Sequence, residues 1–149
     1  HNGDLKDFRP RLHGSFRPVG STDSERAFCW LMQELAKSHA SVPDVDELTR
    51  TLRELAPVPA KHGTFNFLLS NGKALWAHAS TNLCYTERRH PFQSAHLADE
   101  DLSVDFGPVT TERDRVAVVV TAPLTTNETW TPFAPGELMV FVDGARRCA

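Results

Sequence analysis

Apolar positions follow a helical period in the first third of the chain and a period of two after it. Ala27, Phe28, Leu31, Met32, Leu35 and Ala36 fall at i, i+3, i+4 spacing, which predicts a half-buried helix. Thr22-Asp23-Ser24-Glu25 precedes that stripe as a capping-box pattern, with Thr22 as the cap and Glu25 as its partner. Ser41-Val42-Pro43 ends the segment. A second stripe at Val45, Leu48, Leu52 and Leu55 predicts a helix over 44–55, stopped by Pro57 and Pro59. Residues 64–70 then alternate as a strand, Asn71-Gly72 reads as a two-residue hairpin turn, and 73–79 return as the partner. The returning strand places Leu75, Ala77 and Ala79 on one face and Trp76 and His78 on the other. Residues 82–86 form a further short strand. Residues 116–120 form an apolar run bounded by charge and Pro123, which predicts a buried strand; 138–142 form another, ending at Asp143-Gly144. Residues 1–21 hold Pro10, Pro18 and Gly20 and no sustained period, so they read as loop. Helices followed by antiparallel strands give an α+β fold.

A length of 149 residues, with 40% hydrophobic and 23% charged positions, suits one domain with a real core. A net charge of −3 argues against nucleic acid or an anionic membrane as the main partner. No apolar run approaches the ~18 residues of a membrane span. Cys29, Cys84 and Cys148 are odd in number and widely spaced, which disfavours a disulfide framework or a CxxC metal site. Buried, reduced thiols fit them, and with them a reducing, cytoplasmic compartment. The seven histidines are scattered, with no pair at helical ligand spacing, so no metal is expected. There is no GxSxG elbow, P-loop or dinucleotide fingerprint. A Ser-His-Asp site is defined by geometry, and nothing in the order of residues points to one.

Four stretches remain: His1-Asn2-Gly3; residues 16–25, ending in Thr22-Asp23-Ser24-Glu25; residues 121–130, with Asn127-Glu128-Thr129-Trp130; and Pro135-Gly136-Glu137. In this order, with Asn71-Gly72 between them, they resemble the class II glutamine amidotransferase domain, an N-terminal-nucleophile hydrolase. The similarity is to its stand-alone amidotransferase branch, which also resembles the γ-glutamyl amidohydrolases of thiol metabolism. The resemblance implies part of a four-layer α/β/β/α sandwich, with antiparallel sheets and two helices. It implies that Asn2 and Gly3 form the oxyanion hole and that Asp23 binds the α-amino group of the substrate. Taken alone, Asn2-Gly3 reads as a turn and Asp23 as a first-turn acid favoured by the helix dipole. Glu25 remains the capping-box partner, and Glu128 and Trp130 carry no assigned chemistry.

The family nucleophile is an N-terminal Cys, whereas this chain opens on His1. The family arginine that holds the substrate carboxylate also lies upstream of the His-Asn-Gly motif. The expectation is therefore that residues 1–149 are the C-terminal portion of one such domain, inactive alone, and that the missing N-terminal segment carries the nucleophile. The intact protein would hydrolyse the γ-amide of glutamine or a γ-glutamyl compound through a Cys thioester, with no cofactor. The alternatives are a non-catalytic binding or interaction domain of the same fold, and a γ-glutamyl hydrolase acting on a larger thiol compound.

Overall fold

Thr22 starts helix α1 (Asp23–Ser38) in a computed structural model that describes residues 1–147. Its Oγ1 accepts the Glu25 N–H at 3.2 Å, as the capping pattern predicts. The return half of the box does not form. The Glu25 carboxylate instead accepts from the N–H groups of Val19 and Gly20, at 2.6 and 2.8 Å. The 18–20 turn lies over the first helical turn and offers two backbone donors together, which outcompete the Thr22 N–H. A complete capping box starts α2 (Val45–Leu55), where Asp44 and Glu47 bond reciprocally at 2.8 and 3.3 Å. Pro57 then opens a short α3 (Pro57–Ala60).

The buried face of α1 is rotated from the predicted stripe. Ala27 and Leu31 are buried as expected, but so are Trp30, Cys29 and Gln33, while Phe28 is 50% exposed. The cause is the segment 1–21, which has no regular period yet packs over the helix. Phe8 meets Trp30 edge-on with ring centroids 5.7 Å apart. Gln33 accepts the His13 N–H at 2.7 Å and donates to the Arg11 carbonyl at 3.2 Å, so its amide is buried fully paired.

Nine strands follow among the described residues: β1 (Phe67–Ser70), β2 (Leu75–Ala79), β3 (Cys84–Arg89), β4 (Ala95–His96), β5 (Ser103–Val104), β6 (Arg115–Val120), β7 (Thr131–Pro132), β8 (Glu137–Val142) and β9 (Ala145–Arg147). All pairings are antiparallel, in sheets ordered β1-β2-β8-β9, β6-β3-β7 and β4-β5. Strand β2 is buried on both faces. Trp76 turns to the helices with Trp30, Leu48 and Leu52, and its Nε1–H donates to Thr49 Oγ1 at 2.8 Å. Ala77 and Ala79 turn the other way, against Tyr85, Phe133, Met139 and Phe141. The layers are thus helix, sheet, sheet, and the division of faces along β2 is the one its alternation predicts. No helix among the described residues is long and apolar enough to cross a membrane.

Two strand expectations need correction. The β1–β2 register pairs Ser70 with Leu75, so the loop has four residues, 71–74, and not two. Asn71 Oδ1 accepts from the N–H groups of Lys73 and Ala74, both at 3.0 Å, closing the loop with a side chain. The two-residue turn is Asp143-Gly144, with φ of 49° and 71° between paired Val142 and Ala145. Strand β6 is not buried: Val116 is 41% exposed and residues 117–120 are half-buried. It is an edge strand, and only Ala117 and Val119 pack against the second core.

His78 lies in the first core beside Phe65 and Phe67, and a ring nitrogen donates to the Phe65 carbonyl at 2.7 Å. Burial holds its pKa below the usual 6.5, so the folded ring resists a proton that the unfolded chain accepts. Stability should fall as pH drops from about 6.5 toward the lower folded value. Melting curves at successive pH values across this window check it, and His78→Gln, which keeps a donor, should flatten the slope.

Candidate active site

Residues 1–6 run antiparallel to residues 62–66. Asn2 exchanges backbone hydrogen bonds with Asn66 at 2.8 and 3.2 Å, and the Lys6 N–H donates to the His62 carbonyl at 2.8 Å. Gly3 lies between these contacts with φ of 138°, and a Cβ there would stand 2.0 Å from the Thr64 carbonyl oxygen. Only glycine fits such an approach. The Asn2 side chain is exposed, and neither its carboxamide nor the Gly3 N–H has a partner among the described residues. Both donors are therefore left over by the fold.

The first turn of α1 is fastened to this segment. Asp23 Oδ2 accepts the Leu5 N–H at 2.8 Å, while Oδ1 accepts the Ser24 N–H at 2.8 Å. Ser24 Oγ bonds His1 Nδ1 at 2.7 Å, and His1 Nε2 bonds the Thr64 carbonyl at 3.0 Å. A carbonyl only accepts, so Nε2 carries the hydrogen; when the ring is neutral, Nδ1 accepts from Ser24 Oγ, which also lies 3.5 Å from Asp23 Oδ1. The three residues expected from sequence, Asn2, Gly3 and Asp23, are thus joined through Leu5, Ser24 and His1. A carboxylate offers about four acceptor positions, so Asp23 keeps capacity for a ligand cation beside its backbone bonds. It also carries structural weight that its place after the Thr22 cap does not reveal.

His1 and Asn66 escaped the reading of the sequence. Alternation along residues 64–67 leaves Asn66 as an unremarkable polar position. Folded, it is buried, and its carboxamide accepts from the N–H groups of Ser80 and Thr81 at 2.8 and 3.1 Å and donates to Thr81 Oγ1 at 2.9 Å. The only available signal for His1 was its place before Asn2. It lies between two clefts, one of about 370 Å³ with Ser24, Phe28 and Phe65, the other of about 260 Å³ with Asn2, Asn66 and Leu83.

Glu128 and Trp130 are bracing residues. Arg88 donates twice to the Glu128 carboxylate, both at 2.7 Å, and holds its carboxyl below the usual range. Thr125 Oγ1 donates to the same carboxylate at 2.6 Å and accepts from Trp130 Nε1 at 3.0 Å. Cys29 and Cys84 are free and buried, and burial pushes the Cys84 thiol up, away from thiolate. Cys148 lies outside the described residues. No three metal-ligating side chains converge among the described residues.

A family model described as class II glutamine amidotransferases matches residues 1–149. Over 98% of its length the chain is 44% identical to an Escherichia coli (strain K12) protein called "Putative glutamine amidotransferase YafJ", covering 58% of that protein. A Haemophilus influenzae protein called "Putative glutamine amidotransferase" is 40% identical over 98% of the chain and 50% of its own length. The chain therefore spans about half the length of the curated relatives it matches. A crystal structure of a predicted glutamine amidotransferase from Pseudomonas aeruginosa PA01 superposes with a TM-score of 0.88 at 41% identity, over 100% of this chain and 58% of that one.

Gly3→Ala should destabilise the chain by more than about 2 kcal/mol, because backbone strain and a backbone clash add. Gly72 also has positive φ, 82°, but an added Cβ meets nothing within 4 Å. Gly72→Ala should therefore cost only about 1 kcal/mol. Urea unfolding of the two variants side by side reads the difference.

Proposed function

The chain belongs to the class II glutamine amidotransferases, and from that premise we propose that the intact protein hydrolyses the γ-amide of glutamine or of a γ-glutamyl compound. The carrying observation is the pair of donors without protein partners, Asn2 carboxamide and Gly3 N–H, on a segment that Asp23 binds through the Leu5 N–H. A cysteine outside residues 1–149 attacks the γ-carbonyl carbon. Negative charge develops on the carbonyl oxygen, and Asn2 and Gly3 donate to it. Asp23 holds the α-ammonium group. The C–N bond breaks, ammonia (or, from another γ-glutamyl compound, its amine) leaves with the proton the thiol gave up, and water hydrolyses the thioester to glutamate and the free thiol. Neither described thiol suits attack, since Cys29 and Cys84 are both buried.

The segment bearing the cysteine would run antiparallel along β1. That strand ends its sheet, and the Asn2–Asn66 pair sets the register. A second reading, a non-catalytic binding domain of the same fold, follows if no cysteine outside residues 1–149 supplies the nucleophile, since both described thiols are buried. Glutamate release separates the two. The full-length protein should release glutamate from L-glutamine or γ-glutamyl-p-nitroanilide; failure on both favours the binding domain. Residues 1–149 alone should release none above a buffer control.

In the full-length protein, Asn2→Ala should lower kcat by about 10²–10³ while KM moves much less, as for loss of one oxyanion donor. Unchanged kcat would leave Asn2 as a backbone partner of Asn66 only. For Asp23 the informative change is Asn, which keeps an acceptor for the Leu5 N–H. Loss of a charge-assisted bond worth roughly 1.5–3 kcal/mol should cut kcat/KM by about 10- to 100-fold. Steady-state kinetics beside melting curves check both, and an unchanged kcat/KM for Asp23→Asn removes it from the site.

A further inference from the structure

We propose that His1 is a positioning residue for this site, an inference that rests on the roles just given to Asn2, Gly3 and Asp23. Its ring spans the two halves of the site. Nδ1 meets Ser24 Oγ at 2.7 Å, on the helical turn that carries Asp23. Nε2 meets the Thr64 carbonyl at 3.0 Å, the same oxygen that a Cβ on Gly3 would meet at 2.0 Å. That carbonyl is the surface on which Gly3 rests. A second strut, the Leu5 N–H to Asp23 bond of 2.8 Å, closes the other side. Residues 1 and 5 are thus both tied to the first turn of α1, and Asn2-Gly3 is suspended between them.

This frame sets the separation between the carboxylate for the substrate ammonium and the donors for the amide oxygen. A γ-glutamyl group has a bounded reach between those two ends, so an error in the separation weakens donation to the developing oxyanion. The imidazole spends both ring nitrogens on the protein, which makes it a strut and not a proton donor to substrate. Phe65 lies against the ring at 5.1 Å between centroids and steadies its plane. What the position requires is an acceptor toward Ser24 and a donor toward Thr64. A glutamine carboxamide has that polarity; a phenyl ring has similar bulk and neither group.

The test uses the full-length protein with γ-glutamyl-p-nitroanilide and L-glutamine. His1→Phe should lower kcat about 10- to 100-fold with little change in KM, because the ammonium contact survives. His1→Gln should restore most of that loss. Ser24→Ala removes the strut from the helix side, leaving aside only a long 3.5 Å contact of Ser24 Oγ with Asp23, and His1→Phe/Ser24→Ala should be no worse than His1→Phe alone, since His1→Phe already deletes the bond to Ser24. If His1→Phe fails to fold, His1→Gln against Ser24→Ala carries the comparison. Wild-type kcat in His1→Phe, no rescue by Gln, or additive losses in the double variant would overturn the proposal. An inactive Asn2→Ala beside a fully active His1→Phe overturns the positioning role alone. A fully active Asn2→Ala overturns the oxyanion reading and this proposal together.

Discussion

Strand β2 is buried on both faces, and the rest of the molecule is arranged around that constraint. A strand with two buried faces needs a partner layer on each. Trp76 meets the helices on one side, and the small Ala77 and Ala79 admit the second sheet on the other. The indole N–H would be costly to bury unpaired, so Thr49 on α2 accepts it, and this bond also sets the height of the helix against the sheet. Removing the partner layer from either face would expose a continuous apolar surface. The α/β/β order is therefore a packing consequence of five residues, 75–79.

The site sits at the margin of this construction. Strand β1 ends its sheet, and the incoming segment 1–6 lies along residues 62–66 just before it. An edge offers backbone groups that no neighbouring strand consumes. That is how a free N–H at Gly3 and a free carboxamide at Asn2 persist in a domain whose described buried polar side chains are all paired. The first turn of α1 adds a carboxylate, Asp23, that bonds the segment directly, and its helix dipole favours the negative charge there. Two donors without protein partners and a carboxylate thus share the same short segment.

The charged pair Arg88–Glu128 is spent on architecture. The Arg88–Glu128 pair, with Thr125 and Trp130, fastens residues 122–130 to β3, and Arg88 also covers the Phe106 ring at 5.0 Å. Asn127 does the same for residues 94–96 through its carboxamide. A segment that looks functional for its density of polar and aromatic residues is here a clasp.

The sequence by itself determined the helix starts and the two-faced division of β2, and its short motifs carried the family resemblance that singled out Asn2, Gly3 and Asp23 as candidates. Each rests on local chemistry: a cap oxygen within reach of its own helix, alternation along one strand, or a short motif. Tertiary structure decided what depends on distant partners. Glu25 abandoned the capping box because Val19 and Gly20 arrived from a loop of no visible period. Trp30 and Gln33 turned inward because Phe8, Arg11 and His13 covered that side of α1. Residues 116–120 were apolar enough for a core yet became an edge, since strand order is a property of the sheet and not of the strand. Asn66 and His1 gained their roles only when residues 1–5, the first turn of α1 and residues 62–66 met. A hydrogen bond between positions 23 or 63 residues apart leaves no periodic trace along the chain, because its geometry exists only once the intervening elements have packed.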